Sequence, residues 1–227
     1  MTRKIIFRAT IALVCGVSIF FVACTKKETA AQASPKASGP TEKVRNEKVV
    51  VTEQALASGD VMLQEKERAV VAVFLDDGLV TTSMADGMSR EFAVKRGQAS
   101  FFPAGIVSLK NRGTAVLRVV RTEYLGKGGA EYWGKTGLAP HYTLLFENPY
   151  GRVYDIKIAA GMQEAMHTHH ERVVVGLSGA ELEHILPDGG KQSSSLKTGE
   201  IAWRPAATHI GHNIGKTDLW VIAIEPK

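Results

Sequence analysis

Residues 199–215 read GEIAWRPAATHIGHNIG and residues 97–113 read GQASFFPAGIVSLKNRG. Gly97, Pro103, Ala104, Asn111 and Gly113 thus recur, each 102 residues on, as Gly199, Pro205, Ala206, Asn213 and Gly215. Working outward at the same offset and without a gap, Asp86-Gly87 recurs as Asp188-Gly189, Gly59 as Gly161, Asn46 as Asn148 and Glu123 as Glu225. Most of these are residues that set turns, through positive φ or through side-chain bonds to the backbone. A repeat that preserves turn positions implies two copies of one fold.

Each copy reads as short strands between turns. In the second, Tyr142 to Phe146 is a strand, Asn148-Pro149-Tyr150-Gly151 a turn, and Val153 to Ile158 alternates as a half-buried strand does. Arg172 to Leu177 is a β-branched run, Pro187-Asp188-Gly189-Gly190 a hairpin turn, and Ile201 to Arg204 and Leu219 to Ile224 are further strands. No window outside the N-terminal segment has a helical period. The expectation is an all-β chain of two barrels or jelly rolls, residues 47–125 and 141–227, joined by a Gly-rich linker at 126–140. Each copy is small for a single core, so mutual packing supports both.

All seven histidines (His141, His167, His169, His170, His184, His209 and His212) follow residue 140, although the copies are similar in length. Core packing gives no reason for that asymmetry. His167 and His169 are two apart, so on a strand they leave the same face with about 7 Å between α-carbons, a spacing that lets both reach one metal ion. The first copy has Glu65 and Glu67 there, and Val107 in place of His209.

The second copy resembles a cupin. Gly161, five residues, then His167-Thr168-His169 and a later Gly179 match the first motif of that family. Gly199, five residues, Pro205, then His209, three residues and Asn213 match the second. The resemblance runs from about Tyr142 to Lys227 and takes in the first copy through the repeat alone. It implies two tandem double-stranded β-helix (jelly-roll) barrels, with His167, His169 and His209 as ligands of one divalent metal ion in the second. Imidazole donors do not distinguish Fe, Mn, Ni, Cu and Zn. The family's glutamate would fall at Val173 or Val174. Glu171 shares a face with residues 167 and 169 on a regular strand, so it is either a fourth ligand or a solvent-facing carboxylate. The resemblance further implies a metal-dependent, oxygenase-like enzyme acting on a small organic molecule. The alternative is a non-catalytic protein that captures a small ligand or a metal.

Other residues have simpler readings. His170 and His212 belong to the surface or beside the ligands, and His141 and His184 to a loop and a strand. Trp203 and Phe101 are equivalent, which favours barrel-wall packing. Arg204 either meets an anionic substrate or lies exposed.

The N-terminus carries Arg3, Lys4 and Arg8 and then an uncharged, mostly apolar run from Ala9 to Ala23, which reads as an export signal. The run is shorter than the ~20 apolar residues of a spanning helix. It ends in Phe21-Val22-Ala23-Cys24, which resembles the bacterial lipobox, so residues 1–23 are expected to be a signal peptide and Cys24 the lipidated residue. Both cysteines, Cys15 and Cys24, lie in this segment, which excludes disulfides, thiolate metal sites and cysteine nucleophiles from the rest. Residues 24–46, rich in Ala, Ser, Lys, Glu and Pro, are expected to be a flexible tether. The soluble part then sits outside the cytoplasm in the cell envelope, held to the membrane by lipid. The formal charge of +5 falls to 25 basic against 23 acidic residues once Arg3, Lys4 and Arg8 are set aside. No basic stripe with stacking aromatics exists, so nucleic acid is not an expected partner.

Overall fold

The computed structural model describes residues 36–129 and 140–227. The signal segment, Cys24, the start of the tether and residues 130–139 of the linker lie outside the described residues. The first copy contains β1 (Ser38–Arg45), β2 (Val49–Leu56), β3 (Val61–Leu63), β4 (Val70–Phe74), β5 (Gly78–Met84), β6 (Ser89–Val94), β7 (Ala99–Phe102), β8 (Ile106–Asn111) and β9 (Leu117–Tyr124). The second contains β10 (Tyr142–Asn148), β11 (Gly151–Ile158), β12 (His167–His169), β13 (Arg172–Ser178), β14 (Ala180–Ile185), β15 (Lys191–Leu196), β16 (Ile201–Arg204), β17 (Ala207–Asn213) and β18 (Leu219–Pro226). No helix occurs among the described residues.

Both copies are wired alike. The first has a five-stranded sheet in the order β1-β2-β9-β4-β7 and a four-stranded sheet β3-β8-β5-β6; the second has β10-β11-β18-β13-β16 and β12-β17-β14-β15. All-antiparallel sheets in this order make two tandem jelly-roll barrels, as the turn repeat implies. The turns agree in conformation as well as position. Gly59, Gly87 and Gly97 have φ of 85°, 87° and 82°, and Gly161, Gly189 and Gly199 have 78°, 83° and 82°, a region open mainly to glycine. Asn111 Nδ2 donates to the carbonyls of Leu56 and Ala115, and Asn213 Nδ2 to those of Ile158 and Thr217, tying the same strand ends in each copy.

One expectation is corrected. The tether was to extend to residue 46, yet Ser38–Arg45 is strand β1, antiparallel to β2 with Arg45 opposite Val50. Its side chains are almost all exposed, so composition alone reads as a tether. Backbone pairing to β2 forms the strand without an apolar face. The repeat carried the signal, because β10 lies at the equivalent position of the second copy.

Strand alternation divides the side chains of each five-stranded sheet between two cores. Val51, Val71, Val73 and Val120 of the first copy meet Val153, Val173, Val175 and Ile222 of the second in one fully buried cluster between the barrels. Phe101 and Trp203 pack against that cluster, as their equivalence suggests. Burying each such aliphatic side chain is worth roughly 1.5–3 kcal/mol, so each small barrel gains from the other. The alternate residues point into the barrels. In the first barrel Met62, Val70, Phe74, Phe102 and Leu109 fill that space, leaving a cavity of about 10 Å³. A separate open groove runs along Met84, Met88, Phe92 and Phe146.

Candidate metal centre

His167 and His169 come from β12, and β12 pairs with β17 so that His167 stands opposite His209. Alternation sends Thr168 outward, where it bonds Thr208 at 2.8 Å, and both flanking histidines inward. All three imidazoles are buried, and their candidate ligand nitrogens lie within 4.8 Å of one another. His167 Nε2 and His169 Nε2 are 2.9 Å apart. His167 Nδ1 lies 2.8 Å from the Ala165 carbonyl, which makes Nδ1 the proton-bearing nitrogen and turns the Nε2 lone pair toward the cluster. Burial holds all three below the ordinary histidine range, His209 at about 3, so they are neutral donors at neutral pH.

Glu171 does not join them. β12 ends at His169 and β13 begins only at Arg172, so the regular strand that would have kept residues 167, 169 and 171 on one face is interrupted. Glu171 instead forms a salt bridge with Lys48 of the first copy, a link between the barrels. His170 is exposed, and His212 turns toward Glu183, its Nδ1 4.0 Å from the carboxylate. His141 precedes β10 and is not one of the three clustered histidines, and its carbonyl accepts from the Lys157 amide. His184 is nearer than a plain strand residue: its ring lies 4.6 Å from that of His209, and its Nε2 is 2.9 Å from Ser194 Oγ.

Two further residues enter the site that the motifs do not mark. Tyr142, on β10, places its hydroxyl 3.3 Å from His167 Nε2 and 3.2 Å from His169 Nε2. Glu164 is buried, bonds the Tyr142 side chain, and has one oxygen, Oε1, without a partner among the described residues. Burial raises its pKa to about 7, with the Tyr142 bond and the Arg172 charge acting the other way. Gly211 makes room for it, since a Cβ there would collide with the carboxylate. The signal was available: Glu164 and Gly211 stand where the first copy has Met62 and Leu109, an exchange of the kind seen at His209 and Val107. Three neutral imidazoles converging beside an orphaned buried acceptor form a donor set that fits a divalent metal ion.

The cluster opens on a cavity of about 290 Å³ between the two sheets. Its polar wall includes Tyr142, Glu164, His184, Arg172 and Arg204, and Ile156, Val174, Leu182 and Val221 form its apolar side.

No protein-family profile matches the sequence, and no curated protein matches it. Solved structures do match, and they give the fold as that of the cupins. AerE from Microcystis aeruginosa superposes with a TM-score of 0.58 at 14% identity, over 83% of this chain and 97% of that one. A cupin 2 conserved barrel domain protein from Leptotrichia buccalis has a TM-score of 0.54 at 13% identity, over 87% and 92%. A deletion mutant of the oxalate decarboxylase OxdC of Bacillus subtilis has 0.52 at 17% identity, over 79% and 68%. Another structure of that decarboxylase concerns its Mn(II) centres. The chain thus has the fold of a tandem cupin, with a three-histidine cluster in its second barrel.

Proposed function

We propose that this is an exported lipoprotein of the cell envelope, anchored through Cys24, whose C-terminal barrel holds one divalent metal ion through His167, His169 and His209 and acts there on a small organic molecule. The observation that carries the reading is the buried imidazole trio at the wall of a 290 Å³ cavity inside the second barrel. A divalent ion bound there would supply Lewis acidity and, if redox-active, oxygenase-like dioxygen chemistry. Manganese in a solved neighbour makes Mn(II) a natural first ion to try.

The chain's own residues supply the rest. The Ala165 carbonyl fixes the His167 tautomer. Glu164, with an unpartnered oxygen and a pKa near 7, holds or releases a proton at the cavity wall, and Tyr142 links it to the two imidazoles of β12. A group titrating near the working pH at the wall of a partly apolar cavity is suited to general acid–base work. The apolar wall limits water around the ligand.

The second reading, capture without turnover, is favoured by Val173 and Val174 standing where cupins place their glutamate. Loading the chain in turn with Mn(II), Fe(II), Ni(II), Cu(II) and Zn(II) and assaying oxygen uptake and carboxylate turnover separates the two. Turnover that Glu164→Gln abolishes, with metal retained, supports the enzyme; no turnover with any ion leaves the binding protein. Intact-mass analysis tests the anchor, and an unmodified mature mass, or continued processing and membrane attachment of Cys24→Ser, contradicts it.

A further inference from the structure

Arg172 on β13 and Arg204 on β16 are cross-strand partners. Both line the cavity, while Val173 and Trp203, one step along each strand, face the core between the barrels. Like charges directly opposite in a sheet are destabilising, and this half-buried pair flanks the apolar side chain of Val174. Local partners compensate only one of the two. Arg204 Nη2 is 2.8 Å from Glu200 Oε1. No carboxylate of the described residues lies within salt-bridge distance of Arg172, whose Nη1 donates to the His170 carbonyl at 3.3 Å. Glu164 and Glu225 act on Arg172 as more distant charges.

The fold itself does not require the pair. In the first barrel the same register joins Val70 to Phe102, both part of its apolar filling. The arginines therefore accompany the histidines and the cavity, and not the jelly roll. A half-buried guanidinium that faces a second one, with no carboxylate in salt-bridge distance, is a group that an anion from outside the chain would complete.

We infer that Arg172 and Arg204 form the anion subsite of the C-terminal cavity and that its ligand is a small monocarboxylate with an apolar body. The inference rests on the reading of this cavity as the ligand site. The guanidinium fork matches a carboxylate bidentately, and one carboxylate between the two arginines offsets their repulsion. With Glu200 paired to Arg204 and Glu164 on the same wall, the chain leaves at most one guanidinium charge to be met, which suits a singly charged ligand better than a phosphate dianion. Ile156, Leu182 and Val221 receive the hydrocarbon part.

The test is calorimetric titration of the full chain with benzoate and with its neutral isostere benzamide, in the metal-loaded and the chelator-treated protein. Benzoate binds more tightly than benzamide in both forms, by about tenfold to a hundredfold, the range of a charge-assisted bond in a buried site. Arg172→Gln removes that gap, and Arg172→Lys, which keeps the charge but not the fork, retains part of it. Circular dichroism and metal content of each variant show that fold and metal site persist. Equal binding of the two probes overturns the inference, as does binding of neither or an undiminished gap in a folded Arg172→Gln chain. A gap present only with metal and untouched by Arg172→Gln assigns the carboxylate to the ion and overturns it too. A chain that binds no metal but keeps the arginine-dependent gap contradicts the metal reading and leaves the subsite standing.

Discussion

Met62, Val70, Phe102, Val107 and Leu109 of the first copy, all but Val107 part of its buried interior, occupy the positions that Glu164, Arg172, Arg204, His209 and Gly211 hold in the second. The glycine turns, the asparagine ties and the strand order are nonetheless the same. The jelly-roll frame is therefore specified by its turns and by the sheet face shared between the barrels, while the interior is free to be filled or equipped. The first copy uses its interior as core. The second gives up that packing for buried polar groups, of which Glu164 Oε1 and His184 Nδ1 have no hydrogen-bond partner among the described residues, and the shared valine face between the barrels compensates. Substitutions that exchange the contents of the two interiors sharpen or break this contrast.

The largest effect is expected where the first interior is emptied. Phe74, fully buried there, has Gly176 as its equivalent, and Phe74→Ala should cost roughly 3–5 kcal/mol in urea unfolding. Metal content of the folded protein should stay unchanged. A cost below 1 kcal/mol would mean that the first interior is not the packed core described.

Putting first-copy residues into the second interior should do the opposite. Glu164→Met removes a buried carboxylate with an unpartnered oxygen, and the metal-free chain should gain about 1–3 kcal/mol at neutral pH while losing any turnover. Acid sharpens the contrast further. His209 titrates at about 3 in the fold against ~6.5 unfolded, so its neutral burial carries no penalty above pH 6.5 and an increasing one as pH falls toward 3. Glu164 has the reverse sign: its raised pKa gives a contribution that is present below about 4.5 and lost as pH rises through 7. Thermal melts of the metal-free chain should show His209→Val flattening the loss below pH 6.5 and Glu164→Met flattening the loss between pH 4.5 and 7. Melting curves unchanged in slope by both would contradict the burial of these groups.

The smallest effect belongs to Glu171. Its salt bridge with Lys48 is about one-third exposed on both sides, so Glu171→Ala should cost no more than about 1 kcal/mol. Metal content should be unaltered, and a loss of metal would restore Glu171 as a ligand.

Legibility in the sequence followed how local each determinant is. The turn residues and the histidine spacing are local, so the repeat, the strands and the trio His167, His169 and His209 could be read directly. Of the two readings of Glu171, fourth ligand or solvent-facing carboxylate, the choice depended on where β12 stops, and nothing in His169-His170-Glu171 marks that break. Strand β1 was hidden because an exposed edge strand needs no apolar alternation. Arg172 is set in the cavity wall by pairing of β13 with the distant strands β16 and β18, and Tyr142 by the β10–β11 hairpin, and spacing from the histidines encodes neither placement. Glu164 was visible in principle, as an apolar-to-acidic exchange between aligned copies.

The central claim, that a metal belongs to the second barrel alone, is tested most directly by elemental analysis of the chain purified without added metal. The account predicts about one divalent ion per chain in the wild type and in Glu65→Ala, and a collapse of that content in His167→Ala and His209→Ala. Equal metal content in the wild type and all three variants would contradict it.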